Sequence, residues 1–193
     1  MAAARLASGS LAAGAAILLT LVNAGCFAGR VQPTTVKALG DDDLEQLRRC
    51  QGILITGIES CQIFQPDHDP WNLPPGQNPG KKIEIRDPLC PQPANQPAVD
   101  DPDLTIEVSD YQEEYGNGIH VGPGFSGSPN VSISVRVSVT HKVLGVLYQA
   151  RFEARAPLGL FVSRETSSMA TLARRIRASP VGRILKTALE PAS

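Results

Sequence analysis

The residues able to do chemistry fall into a few short clusters. Gly124-Phe125-Ser126-Gly127-Ser128 approaches the G-x-S-x-G nucleophile elbow but ends in serine. An elbow needs a helix directly after the nucleophile, whereas a valine-rich strand pattern follows here. The only histidine after Ser126 is His141, inside a predicted hairpin turn. The same glycines would cradle a phosphate only ahead of a helix N-terminus. A tight connection into the next strand is the expected role. Asp67-His68-Asp69 offers metal-ligand chemistry, but three neighbouring side chains do not easily converge on one ion, and no fourth ligand is defined. Asp41-Asp42-Asp43 lacks the alternating oxygen ligands of a calcium loop and reads as the acidic start of a helix. Asp100, Asp101 and Asp103, split by Pro102, read as a turn.

The cysteines carry a different chemistry. Cys50, Cys61 and Cys90 have no C-x₂-C spacing, and His68, His120 and His141 are scattered, so no zinc site is expected. In an oxidising compartment two of the three can pair. Cys61 with Cys90 is slightly preferred, because closing the long segment between them removes more unfolded-state entropy. Three free thiols remain the alternative.

The fourth cysteine, Cys26, follows an export signature. Arg5 supplies a positive n-region, and the stretch from Leu11 to Val22 is an apolar run of about a dozen residues, short of the roughly 20 that a spanning helix needs. Asn23-Ala24-Gly25-Cys26 puts small residues before a cysteine, as in a lipobox, so Cys26 is the expected lipidation site. Asn23 stands where an aliphatic residue is usual. Cleavage after Ala24 with plain secretion, and a retained N-terminal anchor, are the competing readings. The expected organisation is a signal peptide over 1–25, a lipidated N-terminus and tether over 26–40, and one domain over 41–193 with a proline-rich insertion at 66–102.

Several elements must position these residues. A short helix is expected over 42–50 and a strand over 53–58, the latter apolar throughout and so buried on both faces. Residues 66–102 contain ten prolines, which excludes helix or central strand and leaves a long loop interrupted by an edge strand at 82–86. Trp71 reads as a pin for that loop. Residues 104–109 and 131–139 alternate with period two. A hairpin turn then leads to a strand over 145–155, with Val146, Tyr148, Ala150, Phe152 and Ala154 inward. A helix is expected over 164–178, then Ser179-Pro180 as N-cap and first-turn proline of another. The predicted fold is α+β: an antiparallel sheet of about four strands with helices on one face, plus the proline-rich loop.

Arg174, Arg175, Arg177, Arg183 and Lys186 make the C-terminal helices basic. They are either a solvated face on core-packing helices or a contact surface for a membrane or an acidic partner. A net charge of −1 gives no global field to draw in nucleic acid, and 5% aromatic content argues against a base-stacking or carbohydrate-binding platform.

Three features over residues 104–176 coincide: a strand ending in Tyr115-Gly116-Asn117, the run Gly122-Pro123-Gly124-Phe125-Ser126 before a valine-rich strand, and Gly159-Leu160-Phe161 ahead of a helix with Ala170 and Ala173. With Cys26, this resembles a family of bacterial envelope lipoproteins of unknown function. Its usual hairpin-turn residues are replaced here by Thr140-His141-Lys142 and Leu144-Gly145. The resemblance implies an envelope α+β fold with no established catalytic activity. The expected protein is exported and lipid-anchored, on the outer membrane facing the periplasm. Its role is non-catalytic binding or assembly, with no cofactor and no metal. The expected partners are the membrane, through the anchor, and another envelope protein or a lipid. The alternatives are a secreted periplasmic hydrolase using Ser126 and a lipid-transport accessory protein that shields an acyl chain.

Overall fold

The computed structural model of the chain describes residues 29–64, 80–90, 98–116, 130–157 and 167–191. Its elements run β1 (Val31–Val36), α1 (Asp41–Arg48), β2 (Gly52–Gly57), α2 (Ser60–Phe64), β3 (Lys82–Arg86), β4 (Leu104–Gly116), β5 (Asn130–His141), β6 (Gly145–Pro157), α3 (Ser168–Ala178) and α4 (Pro180–Leu189). The strands form one six-stranded sheet in the order β1-β6-β5-β4-β2-β3.

This overturns the expected four-stranded antiparallel sheet. The sheet is open and mixed: β2 pairs parallel with both β3 and β4, and the other pairs are antiparallel. Two physical reasons account for the difference. Strand β1, inside the stretch read as tether, is exposed along most of its length and carries Pro33, so it has no hydrophobic period to betray it. The parallel pairs join segments far apart in sequence, and period-two alternation does not encode the direction of a neighbour.

The strands that do alternate behave as their sequence dictates. Val131, Ile133, Val135, Val137 and Val139 of β5 are buried, and Arg136 between them is exposed. In β4, Leu104, Ile106 and Val108 are buried while Glu107 is exposed. Continuous apolar character predicts burial of β2 on both faces; Ile53 and Ile55 are buried, but Leu54 is only half-buried. Strand β3 takes the sheet edge opposite β1. The apolar face is covered by α3, which packs on β6 and β5. Helix α4 packs on α3, and α1 packs on α4. The core joins the sheet residues to Leu172, Ile176, Val181 and Leu185 of the two C-terminal helices.

Alternation places Val146 of β6 inward, and there the structure differs. Val146 is exposed, whereas Leu147 and Tyr148 are both buried. The register of β5 against β6 shifts between Val139 and Thr140, so Val139 faces Tyr148 but Thr140 faces Val146. This bulge leaves Leu147 opposite no residue, which breaks the strict alternation.

Helix ends are settled locally. The Asp43 carboxylate accepts a hydrogen bond from the Gly40 N–H at 3.2 Å, so the aspartate triplet includes a helix-start ligand. The Ser179 hydroxyl oxygen accepts from the Val181 N–H at 3.1 Å and donates to the Ile176 carbonyl at 2.5 Å. One serine therefore closes α3 and opens α4, with Pro180 in the first turn. Lys81 ties two helix ends together: its ammonium donates to the carbonyls of Arg48, Ala188 and Glu190 at 2.8, 2.5 and 2.6 Å. A cation at two helix C-termini also meets the negative ends of both dipoles. Among the described residues, no helix is long and apolar enough to cross a membrane.

Candidate ligand-binding site

At the end of the sheet where β1 finishes and β6 begins, β1, β6, α1 and α4 enclose a partly open cavity of about 360 Å³. Each wall has a local cause. Helix α4 contributes Pro180, Arg183, Ile184 and Thr187, spaced i, i+3, i+4, i+7 and therefore on one helical face. The Ser179 turn aims that face, since no loop intervenes between α3 and α4. The β5–β6 bulge supplies Leu147 and Tyr148 together. The end of β1 adds Val36, the β1–α1 connection Lys37 and Leu39, and the start of α1 Leu44. The Lys37 N–H donates to the Leu147 carbonyl at 2.9 Å, which holds this segment against β6.

The lining is mainly aliphatic, with two cations and a phenol. Lys37 is half-buried; its ammonium reaches the Asp43 carboxylate and the Leu144 carbonyl at 3.5 Å each, both long for a hydrogen bond. Arg183 is exposed and makes no ion pair among the described residues. Burial raises the Tyr148 phenol above its ordinary range, and the Arg183 charge works against that rise. No hydrogen-bond partner is placed at the Tyr148 hydroxyl among the described residues. Such a site can hold an apolar chain while offering positive charge on its lining.

Beside the cavity, His141 ends β5. Its Nδ1 accepts from the N–H groups of both Val143 and Leu144 at 3.2 Å, so the imidazole caps the hairpin turn. That bond pattern requires Nδ1 to be unprotonated. Burial holds the His141 pKa below its ordinary value. A depressed folded-state pKa contributes stability that is complete above the unfolded value of about 6.5 and is lost as pH falls toward the folded value. Thermal melts from pH 7.5 to 5 should therefore show the wild-type protein losing stability relative to His141→Asn, whose amide oxygen accepts the same N–H groups without titrating. Parallel losses in the two proteins would remove His141 from the account.

The opposite end of the sheet gathers carboxylates. Glu59 sits at φ 62°, in the left-handed region, just after Gly57 at φ 115°. Burial, with Asp87 and Glu113 nearby, raises the Glu59 carboxyl. The Tyr111 and Tyr115 hydroxyls donate to the two oxygens of Glu113 at 3.1 and 2.7 Å, and burial with the Glu113 charge pushes Tyr111 up to about 12. Both phenols are thus engaged with one carboxylate. Next to this group, Cys61 and Cys90 form a disulfide. Asp87 fixes its surroundings by accepting from the Cys61 N–H at 3.0 Å and from the Leu89 N–H at 2.9 Å. Asp87 and the two sulfurs are the one close cluster of three metal-ligating types among the described residues. With the sulfurs bonded to each other, they present no thiolate to an ion.

The remaining sequence candidates scatter. Cys26, Asp67-His68-Asp69, Trp71, His120 and Ser126 lie outside the described residues. Asp103 accepts from the N–H groups of Gln51 and Gly52 at 2.7 and 3.1 Å, and Asp101 pairs with Lys142; both are structural. Arg174, Arg175 and Arg177 lie on α3, where the Arg175 guanidinium packs against Gly29. Arg183 and Lys186 lie on α4, and of these five only Arg183 lines the cavity. Sequence reasoning missed Lys37, Leu44, Leu147 and Tyr148 as cavity residues. The α4 spacing was a readable signal; Lys37 had none.

No protein-family model matches the chain, and no curated protein matches it. Among solved structures, the chain is similar to a dodecamer of a PelC point variant from Paraburkholderia phytofirmans at 12% identity and a TM-score of 0.35, over 84% of this chain and 98% of that one. A likeness that distant says nothing of activity, ligand or assembly.

Proposed function

We propose that this chain is an exported, lipid-anchored envelope protein whose folded body binds a ligand or partner without catalysing a reaction. The observation that carries the reading is the Cys61–Cys90 disulfide in a chain that begins with an export-like segment ending at Cys26. Disulfides persist in oxidising compartments and are rare where thiols are kept reduced. The cavity beside α4 supports binding as the role. Acylation would add about 0.8 kcal/mol per buried methylene, and two or more chains hold a protein stably on a bilayer.

Mass spectrometry of the mature N-terminus tests the anchor. The expected result is an acylated Cys26 in the membrane fraction, with Cys26→Ser moving the protein to the soluble fraction. An unmodified chain beginning at Gly25 would overturn it.

A further inference from the structure

We infer that the cavity between β1, α1, β6 and α4 is a binding site for a single medium-length acyl chain carrying a carboxylate, with Lys37 and Arg183 receiving the head group. This deepens the binding role proposed above and rests on it. Volume, lining and charge converge on the ligand.

The cavity holds about 360 Å³. At the roughly 30 Å³ that a small heavy group such as a water molecule occupies, it takes about a dozen such groups. That is room for a chain of roughly a dozen carbons within the partly open cavity. The walls are Val36, Leu39, Leu44, Leu147 and Ile184, which offer a methylene chain contact without polar competition. Apolar surface removed from water is the driving term for such a ligand.

Charge selects the head group. The lining contains two cations and no carboxylate. Asp43 stands behind Lys37 at 3.5 Å, a separation too long to satisfy the ammonium fully. Arg183 has no ion-pair partner among the described residues, and its planar fork suits a carboxylate. The Tyr148 hydroxyl adds a donor on the same lining. An uncharged amphiphile would use the walls and leave Arg183 unmatched. A cationic one would be repelled.

The test is calorimetric titration of the full chain with dodecanoate, dodecanol and dodecyltrimethylammonium, each below its micelle threshold. Dodecanoate is expected to bind one per chain, at least tenfold more tightly than the alcohol, with the ammonium weaker still. Arg183→Glu, an exposed change that leaves the core intact, should weaken dodecanoate at least tenfold and bring the ammonium level with it. Leu44→Trp, filling the cavity from a half-buried position, should abolish binding of all three. Equal affinity for all three ligands would overturn the assignment, as would no saturable binding. Lysophosphatidylglycerol binding tenfold more tightly than dodecanoate would overturn the carboxylate head group in favour of a phospholipid.

The titration is run on both the membrane-extracted protein and Cys26→Ser. Binding to both supports a free ligand. Binding to Cys26→Ser alone would overturn it, placing the anchor's own acyl chain in the cavity. Loss of the anchor reading, by contrast, shows only in the N-terminal mass and leaves the titration unchanged.

Discussion

Phe152→Ala should lower stability by about 3–5 kcal/mol, the cost of emptying a large buried aromatic site. Phe152 is fully buried in the middle of β6, where it faces Val135 of β5 on one side and Val31 of β1 on the other. Its ring sits 6.4 Å from that of Tyr148, tilted by 50°, a spacing that favours aromatic pairs. The strands on either side are held by backbone hydrogen bonds, so they cannot collapse into the hole. Domains are stable by about 5–15 kcal/mol in all, so the loss is a large fraction. Urea denaturation followed by circular dichroism measures it. Phe152→Leu, which keeps much of the volume, should cost about 1.5 kcal/mol or less. Similar small losses for both variants would mean that the sheet and α3 can close around the gap.

Removing the Cys61–Cys90 disulfide should cost about 3–4 kcal/mol. The crosslink spans a sequence separation of 29 residues, and the chain-entropy relation gives a penalty of that size for a loop of that length. The bridge ties the start of α2 to the segment just after β3, so its loop takes in the first part of the proline-rich stretch and the edge strand. The double variant Cys61→Ala, Cys90→Ala should unfold at lower urea, and with a steeper dependence, because its unfolded state is less compact. The Asp87 carboxylate lies close to both sulfurs. A negative neighbour disfavours the thiolates that reduction would release, so the bond should resist mild reductant in the folded state. Cys50 is a built-in control. It is buried, and burial with the Asp103 charge pushes its thiol up to about 11, so it should react with thiol reagents only on unfolding. An unchanged urea midpoint in the double variant would mean that the packing around α2 and β3 suffices without the bridge.

Phe152 was readable in the sequence, from period-two alternation along β6. Loop length alone did not select Cys61 with Cys90, because Cys50 with Cys90 would close a longer segment. Val146 shows where such reading stops. Alternation puts it inward, but a bulge between Val139 and Thr140 puts Leu147 and Tyr148 there instead. A bulge arises from how two strands meet, and neither strand's own pattern contains it.

Local chemistry decided a good deal on its own. The helix junction at Ser179-Pro180, the acidic start of α1, the valine-rich β5 and the edge position of β3 all follow from residues a few positions apart, because capping bonds, fixed proline φ and strand alternation act over that range. Tertiary structure decided the rest: that residues 31–36 form a strand, that β2 runs parallel to two neighbours, and that Lys37, Tyr148 and Arg183 share one cavity. Each of these depends on pairing between segments that are distant in the chain. Such pairing is set by the total apolar surface the elements bury together, a quantity no short window of residues contains.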